Sequence, residues 1–480
     1  MNLIKACQCD KPFFFSMYKY KSIHKKIIVD TMTPVSIYLK LRDQFSNTIL
    51  LESSDYIAKD NSYAYICCNP ISKFYIKKNT LYTEFPDKSH YEKKLNANSN
   101  VFSELTSFME KFVITEKEEK NKKFMTKGLF GYMTYDSVKF FEKIEIENKS
   151  FGDDIPDIFY SLYSEIIVIN TFNNEATLIS QTGDLNQLDN IEKIIKKKSI
   201  NEYGIKLEGK LKSNLNDNEF IDVVKKGIKH CYRGDVFQIV LSRKFSQKFS
   251  GDEFCVYRQL RSINPSPYLF YFDYGNFKIF GSSPEAQLVI NNQKAEIHPI
   301  AGTFKRTGDD LLDSKKALKL FKDDKENSEH MMLVDLARND LSRACSDVKV
   351  EKDREIQFYS HVIHLVSKVT GKLKSHSKDI IGSTFPAGTL SGAPKHMAMK
   401  LIEKYEQHNR SFYGGAIGFI DFENNFNHAI LIRSFLSKNQ NLFFQAGAGI
   451  VSKSNPNDEL NEVYNKVGAL LKALEKAEEI

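Results

Sequence analysis

The chain has 480 residues, 41% of them hydrophobic and 27% charged, enough apolar volume for two or three domains or one large intertwined one. No apolar run approaches the length of a membrane helix, so a membrane span is not expected. The 68 basic and 61 acidic residues leave a net charge of +7, spread over mixed and loop-like segments without the aromatic-and-basic motifs that read nucleic acid.

Residues 1–28 read as a poorly ordered extension, since the run Phe13 to Phe15 is too short for a secretory core and the segment lacks the arginines of a transit peptide. Thr33-Pro34 opens a helix to about Phe45, with the hydroxyl as cap and proline at the first helical position. Residues 48–53 then read as a strand. From there to about residue 190, short β-branched and aromatic runs (63–68, 74–76, 128–135, 166–171) alternate with polar turns. This gives an N-terminal region over 29–195, followed by a lysine- and asparagine-rich linker over 196–215.

A second region, 216–480, opens on a capping box, Asn216 and Glu219, and a helix with Phe220, Val223, Val224 and Ile228 on one face, ending at Gly234-Asp235. Strands follow at 236–242, 268–272, 278–281 and 288–290, helices around 310–345, and strands again near 362–372, 414–421, 428–437 and 441–451. Antiparallel-type strand runs with separated helices predict an α+β fold, not a doubly wound sheet. The seven cysteines (Cys7, Cys9, Cys67, Cys68, Cys231, Cys255 and Cys345) form neither metal knuckles nor a paired secreted framework, so a reducing cytoplasm is expected.

Two Glu-x-x-Glu pairs, Glu326/Glu329 and Glu459/Glu462, stand in helical sequence, and residues three apart share a helix face. Such acids are ordinarily a solvated face. Here Glu326 and Glu329 continue a stripe through Leu333 and Leu336 that should be buried, and Glu459, Glu462 and Lys466 edge a stripe of Leu460, Val463, Tyr464, Val467, Leu470, Leu471 and Leu474. Four carboxylates in this pattern suit a hard divalent ion such as Mg²⁺. Lys466, one turn after Glu462, is either its ion-pair partner or a contact for a substrate carboxylate.

Among loops, Gln445-Ala446-Gly447-Ala448-Gly449 can form an anion-binding nest, or a β-bulge or tight turn. Residues 385–395 gather small residues, the hydroxyl of Thr389 and the base Lys395 before a helix, where exposed N–H groups attract anions. His364, in an apolar strand, is either a hydrogen-bonded core histidine or a catalyst. Arg433, closing the apolar run 429–432, asks for a carboxylate from protein or ligand.

The stretch Glu326 to Asp340 (Glu-Asn-Ser-Glu-His-Met-Met-Leu-Val-Asp-Leu-Ala-Arg-Asn-Asp), with the Pro-Ala-Gly-Thr and Gly-Ala-Gly segments, resembles the chorismate-utilising enzymes, most of all anthranilate synthase component I, from about Asp30 to Ala473. The resemblance implies Mg²⁺-dependent conversion of chorismate and ammonia to anthranilate and pyruvate, on an α+β fold of large antiparallel β-sheets with flanking helices. Gln238 stands where isochorismate and salicylate synthases carry a water-activating lysine. Ala301 stands where aminodeoxychorismate synthases commonly carry a nucleophilic lysine. Direct attack by ammonia is therefore implied.

By the same resemblance Glu285 is the general acid, and Glu329 and Glu462 bind Mg²⁺ directly, with Glu326 and Glu459 completing its shell. Gly447, Ala448, Gly449 and Lys466 cradle the ring carboxylate, Tyr413 and Arg433 orient the pyruvyl end, Thr389 and His364 flank the ring, and Ala301, Gly302 and Thr303 line it. No cysteine sits in an amidotransferase motif, so a separate glutamine amidotransferase subunit, and hence a hetero-oligomer, is implied. Glu52 and Ser53, with Pro267, Tyr268 and Leu269, resemble a tryptophan inhibitor site, in which Glu52 pairs with the ligand's ammonium. The rivals are aminodeoxychorismate synthase component I and a catalytically silent tryptophan-binding subunit.

Overall fold

Two long strands, Tyr63–Lys77 and Ile158–Asn170, organise the molecule. They pair along their length, but the register shifts between Pro70 and Ser72, and the halves on either side enter different sheets. The coordinates are a computed structural model describing residues 17–53, 62–96, 99–116, 124–358, 362–374 and 379–480.

From the bent pair the first sheet runs in one direction to Glu175–Ser180 and Tyr18–Ile28. In the other it passes through Ile49–Glu52, Tyr268–Asp273, Phe277–Ser283, Ser434–Lys438, Asn441–Val451 and Gln238–Gly251 to Ile205–Ser213. The second sheet continues through Gly128–Met133, Ala416–Asp421, Phe426–Ile430, Ala286–Asn291 and Lys294–Ile297 to Val362–Leu373, which also pairs with Ile300–Lys305 and Cys345–Phe358. All of these pairings are antiparallel. The sheets enclose an apolar layer with Ile49, Tyr65, Phe130, Tyr163, Phe270, Ile417 and Leu436. Helices Asp217–Arg233, Phe254–Ile263 and Pro456–Ala477 flank the first sheet. The fold is α+β, as expected.

The caps form as the sequence predicts. Thr33 accepts from Ser36 N–H and Ser36 returns the bond, although the helix stops at Arg42, short of Phe45. Asn216 and Glu219 complete their box, and Gly234 ends that helix in the left-handed region at φ 78°. Three expectations change. Strands of 29–195 and of 216–480 form adjoining blocks in both sheets, joined where Ile49–Glu52 pairs with Tyr268–Asp273 and Gly128–Met133 with Ala416–Asp421, so the two regions share both sheets. The stretch expected as a linker carries the strand Ile205–Ser213, and residues 18–28 of the expected loose extension form a strand; residues 1–16 lie outside the described residues. Among the described residues no helix is long and apolar enough to cross a membrane.

Candidate active site

Two crossings between the sheets lie side by side and carry the candidate chemistry. The chain leaves Phe277–Ser283 for Ala286–Asn291 through Glu285, and returns from Phe426–Ile430 to Ser434–Lys438 through Arg433. Ser282 N–H donates to the Arg433 carbonyl at 3.2 Å and Ile430 N–H to that of Glu285 at 3.0 Å. A left-handed φ of 48° at Arg433 makes the turn and splits the single strand expected over 428–437.

Glu285 is 9% exposed. Burial pushes its carboxyl up to about 8; the Thr389 hydroxyl, donating at 3.1 Å, and the charge of Lys466 pull it down by less. At neutral pH it holds a proton that it can give away. Opposite His364, the strand Ile300–Lys305 bulges at Gly302, between Ala301 and Thr303. Gly302 takes φ 71°, and its carbonyl accepts from His364 Nδ1 at 3.0 Å. A carbonyl only accepts, so Nδ1 carries the proton and Nε2 the lone pair. Burial holds the ring down to about 4, with the charge of Arg433 adding to it, which keeps His364 a neutral base. The Thr303 side chain lies outside the described residues.

Arg433 is half-buried, the desolvation of its guanidinium lowers its pKa, and its Nη1 donates to Asn264 Oδ1 at 3.2 Å. Among the described residues no carboxylate pairs with it, so its charge is left for an anion to meet. Gln238, at the start of Gln238–Gly251, has a buried Oε1 with no hydrogen-bond partner among them.

The segment Gln445 to Gly449 is not a nest loop. It lies inside Asn441–Val451, in unbroken register with Gln238–Gly251. Its glycines answer to close approach: a β-carbon at Gly449 would stand 2.5 Å from Gln238 Nε2, and one at Gly447 2.8 Å from the Leu241 carbonyl oxygen. Ser434–Lys438 pairs with this strand only up to Phe443. Beyond it, the Gly447 N–H faces the Tyr413 hydroxyl and the Gly447 carbonyl accepts from Lys466 Nζ at 2.9 Å. The two-residue period turns Gly449 N–H to the same edge. Ala448 is packed in the core and its N–H and carbonyl turn the other way, to Leu241 in the ladder, so the expected contact of Ala448 with a substrate is not supported. Lys466 does make the ion pair with Glu462, at 2.7 Å.

Glu326 and Glu329 lie on Asp324–Ser342, but their stripe is half-buried. The buried face is His330, Val334, Ala337 and Leu341, while Leu333 and Leu336 line a small cavity of about 30 Å³ with Glu285 and Thr389. Glu459, on Pro456–Ala477, is 9% exposed, while Tyr464, expected in the apolar stripe, is exposed and donates to Asp217. Lys395, the base of the 385–395 segment, is taken up by Asp340 at 2.6 Å. Among the described residues no three His, Cys, Asp or Glu side chains gather closely enough to hold a metal. Oxygen donors on two helices, one of them with Oε2 of Glu326 only 3.1 Å from where a Gly302 β-carbon would sit, fit an ion that keeps waters and is completed by substrate oxygens.

The largest cleft among those described, about 670 Å³, lies elsewhere, between the two sheets. Ser53, Tyr63, Tyr65, Phe124, Phe270 and Phe419 line it together with Pro267, Tyr268 and Leu269. The two segments expected to form an inhibitor site therefore meet, because Glu52 pairs with Leu269 across adjacent strands. The expected role of Glu52 changes. Its carboxylate is taken by Arg261, at 2.8 Å and 2.9 Å, and by the Tyr257 hydroxyl at 2.8 Å, so it is not the group awaiting a ligand's ammonium.

Sequence reasoning missed the contact of Asn264 with Arg433 and the buried pair Arg410–Glu406. The second had a signal: an acid and a base at i,i+4 just before Tyr413.

Against known proteins, residues 65–472 match the model of the chorismate binding enzymes. The chain belongs to that family, and it is an enzyme. Its full-length relatives include anthranilate synthase component 1 of Aquifex aeolicus, 37% identical with 96% of each chain covered, and that of Bacillus subtilis, 35% identical over 94% of this chain and 92% of the other. Anthranilate synthase component I of Streptococcus pneumoniae superposes with a TM-score of 0.74, covering 92% of this chain and 98% of that one at 28% identity.

Proposed function

We propose that this chain is the large subunit of an anthranilate synthase, converting chorismate and ammonia to anthranilate and pyruvate with Mg²⁺, in the cytoplasm, as the first step of tryptophan biosynthesis. Glu285 carries the reading: a buried carboxyl that keeps its proton at neutral pH, where the chemistry needs an acid for a departing hydroxyl. Ammonia adds at C2 as the 4-hydroxyl takes the Glu285 proton and leaves as water, and the new ammonium returns a proton to Glu285; His364 Nε2 then takes the C2 proton as the C3–O bond to the enolpyruvyl group breaks, and that proton ends on the methylene of the departing group, giving pyruvate and the aromatic ring. Gln238 cannot deprotonate water, but its unpaired Oε1 can accept an N–H of ammonia. Ala301 offers no nucleophile.

Arg433 and Tyr413 hold the pyruvyl carboxylate, and Lys466 with the Gly447–Gly449 edge holds the ring carboxylate. Glu329 and Glu462 would bind Mg²⁺, with Glu326 and Glu459 completing the shell directly or through water. The bound ion supplies positive charge for the ring carboxylate. Cys67, Cys68, Cys231, Cys255 and Cys345 are free thiols, in keeping with a reducing compartment.

A partner amidotransferase subunit supplies the ammonia, since no cysteine here stands in a nucleophile motif of that kind, and the relatives' name, component 1, supports a second component. The purified chain with chorismate and Mg²⁺ is expected to form fluorescent anthranilate from ammonium salts and none above background from glutamine. Strong glutamine-dependent turnover by the chain alone would sink the two-subunit arrangement. Identifying the product as aminodeoxychorismate would replace the activity with that of the nearest rival, and no turnover at all would favour a silent regulatory subunit.

Tryptophan fits the 670 Å³ cleft, which is within the usual size of ligand pockets and walled by aromatic rings. It inhibits if it binds an inactive arrangement better than the active one. Because the chain has no tryptophan, indole fluorescence reports the ligand alone. Millimolar tryptophan is expected to bind and inhibit the parent, and Ser53→Phe to lose both. Equal inhibition of Ser53→Phe would remove Ser53 from the site.

A further inference from the structure

Arg410 is 1% exposed and spends its donors on three partners. Nε and Nη2 make a bidentate pair with Glu406, at 2.9 Å and 2.7 Å. Nη1 donates to the Leu390 carbonyl at 2.6 Å and Nη2 to that of Val240 at 2.7 Å. Its guanidinium also lies over the rings of Tyr135 and Tyr413, 4.7 Å and 5.7 Å from their centroids. Glu406 in turn accepts from the N–H and hydroxyl of Ser242, at 2.9 Å and 2.7 Å.

The register explains the arrangement. The two-residue strand Gly392–Ala393 pairs with Ile239 and Gln238 and goes no further. From Val240 onward the edge of Gln238–Gly251 that faces away from Asn441–Val451 still presents a carbonyl at Val240 and an N–H at Ser242. Backbone groups in a buried edge must be satisfied. The Arg410–Glu406 pair does this as a strand would, with one donor and one acceptor two residues apart. Its remaining bond, to Leu390, has nothing to do with that edge. Leu390 follows Thr389 in the four-residue helix Gly388–Ser391, and Thr389 is the group that donates to Glu285.

We propose that Arg410, clamped by Glu406, is a positioning residue for the acid step: it ties the Leu390 carbonyl to the Gln238–Gly251 strand and so holds the Thr389 hydroxyl against Glu285. The proposal rests on the anthranilate synthase reading above. A displacement of about 1 Å at such a group costs about 100-fold in rate, and the loss falls on kcat because the bond acts on the reacting acid.

The test measures steady-state ammonia-dependent anthranilate formation by the full chain. Arg410→Lys keeps the charge but not the fork that reaches three acceptors. It is expected to lower kcat about 100-fold with the chorismate KM within about threefold of the parent. In a Thr389→Val background the same change is expected to cost less than about threefold further, since both substitutions break one chain of contacts. An Arg410→Lys kcat within about threefold of the parent, or losses that multiply in the double variant, overturns the proposal. Should Arg410→Lys fail to fold, the paired change Arg410→Gln with Glu406→Gln removes both charges while keeping an amide donor and acceptor for the edge, and is read the same way. Failure of both to fold assigns the pair to the fold alone and also overturns it. A parent with no chorismate turnover overturns the functional reading instead, which separates the two failures.

Discussion

Exchanging Glu285 for glutamine is expected to lower ammonia-dependent turnover by about 10³-fold, within the range that a positioned proton donor contributes, while chorismate binding persists. Glutamine keeps the shape and a hydrogen-bonding amide but has no acidic proton to give. The pH profile tests the same point more sharply. An acid works only while protonated, and at pH 7, one unit below about 8, roughly nine-tenths of Glu285 carries its proton. Because its pKa is raised, the activity it supports is present at neutral pH and is lost as pH rises through about 8. His364 sets the opposite limb: it must be neutral, so activity falls as pH drops toward about 4. The kcat/KM for chorismate, with free ammonia rather than total ammonium held constant, is therefore expected to trace a bell. In Glu285→Gln the alkaline limb should vanish, and in Thr389→Val it should move to higher pH, because the Thr389 bond favours the charged carboxylate. An alkaline limb unchanged in Glu285→Gln would remove Glu285 from the acid role.

What the sequence could and could not say about this site follows from the range of the forces involved. Caps are local, so Thr33 and Asn216 were legible in a few neighbouring letters. Apolar periodicity likewise showed many of the strands, Ile49–Glu52, Gly128–Met133, Tyr268–Asp273 and Asn441–Val451 among them, but not Glu175–Ser180, Ile300–Lys305 or Cys345–Phe358. It could not show that Arg433 breaks a run of strand-forming residues, because a left-handed φ of 48° at a non-glycine is imposed by the crossing between sheets and not by local preference. Nor could it separate two meanings of alternating glycine. Gly447 and Gly449 look like a nest, yet they are small because Leu241 and Gln238, some two hundred residues earlier, lie against them. The strand Ile205–Ser213 is polar and lysine-rich, with most of its side chains in solvent, so composition reads it as a linker, while its backbone is fixed by pairing to Gln238–Gly251. Glu52 shows the same limit. Nothing near it in sequence announces Arg261, which lies on a helix beyond the strand. The resemblance could place Glu285, Thr389 and His364 by motif; it could not supply the Gly302 bulge that fixes the His364 tautomer.

The second large effect concerns the metal, and the arrangement of its donors decides which form the effect should take. The two Glu-x-x-Glu pairs come from different helices, and no three suitable side chains gather among the described residues. An all-protein cage would bind Mg²⁺ without substrate. A site finished by a substrate carboxylate should not. Chelation is accordingly expected to abolish turnover, with Mg²⁺ restoring it, and Glu329→Ala is expected to raise the Mg²⁺ needed for half-maximal rate at least about 100-fold, since even outer-shell partners of a metal site cost 10–100-fold. Thermal unfolding gives a readout independent of catalysis, because any ligand that binds only the folded chain raises its midpoint. In the parent, Mg²⁺ alone and chorismate alone should each shift the midpoint little, and the two together should shift it by more than the sum. In Glu329→Ala and in Glu462→Ala the excess should disappear while the unliganded midpoint stays near the parent's. A full shift from Mg²⁺ alone would mean that the protein closes the site without substrate. A parent whose shift with chorismate ignores Mg²⁺ would remove all four glutamates from metal binding.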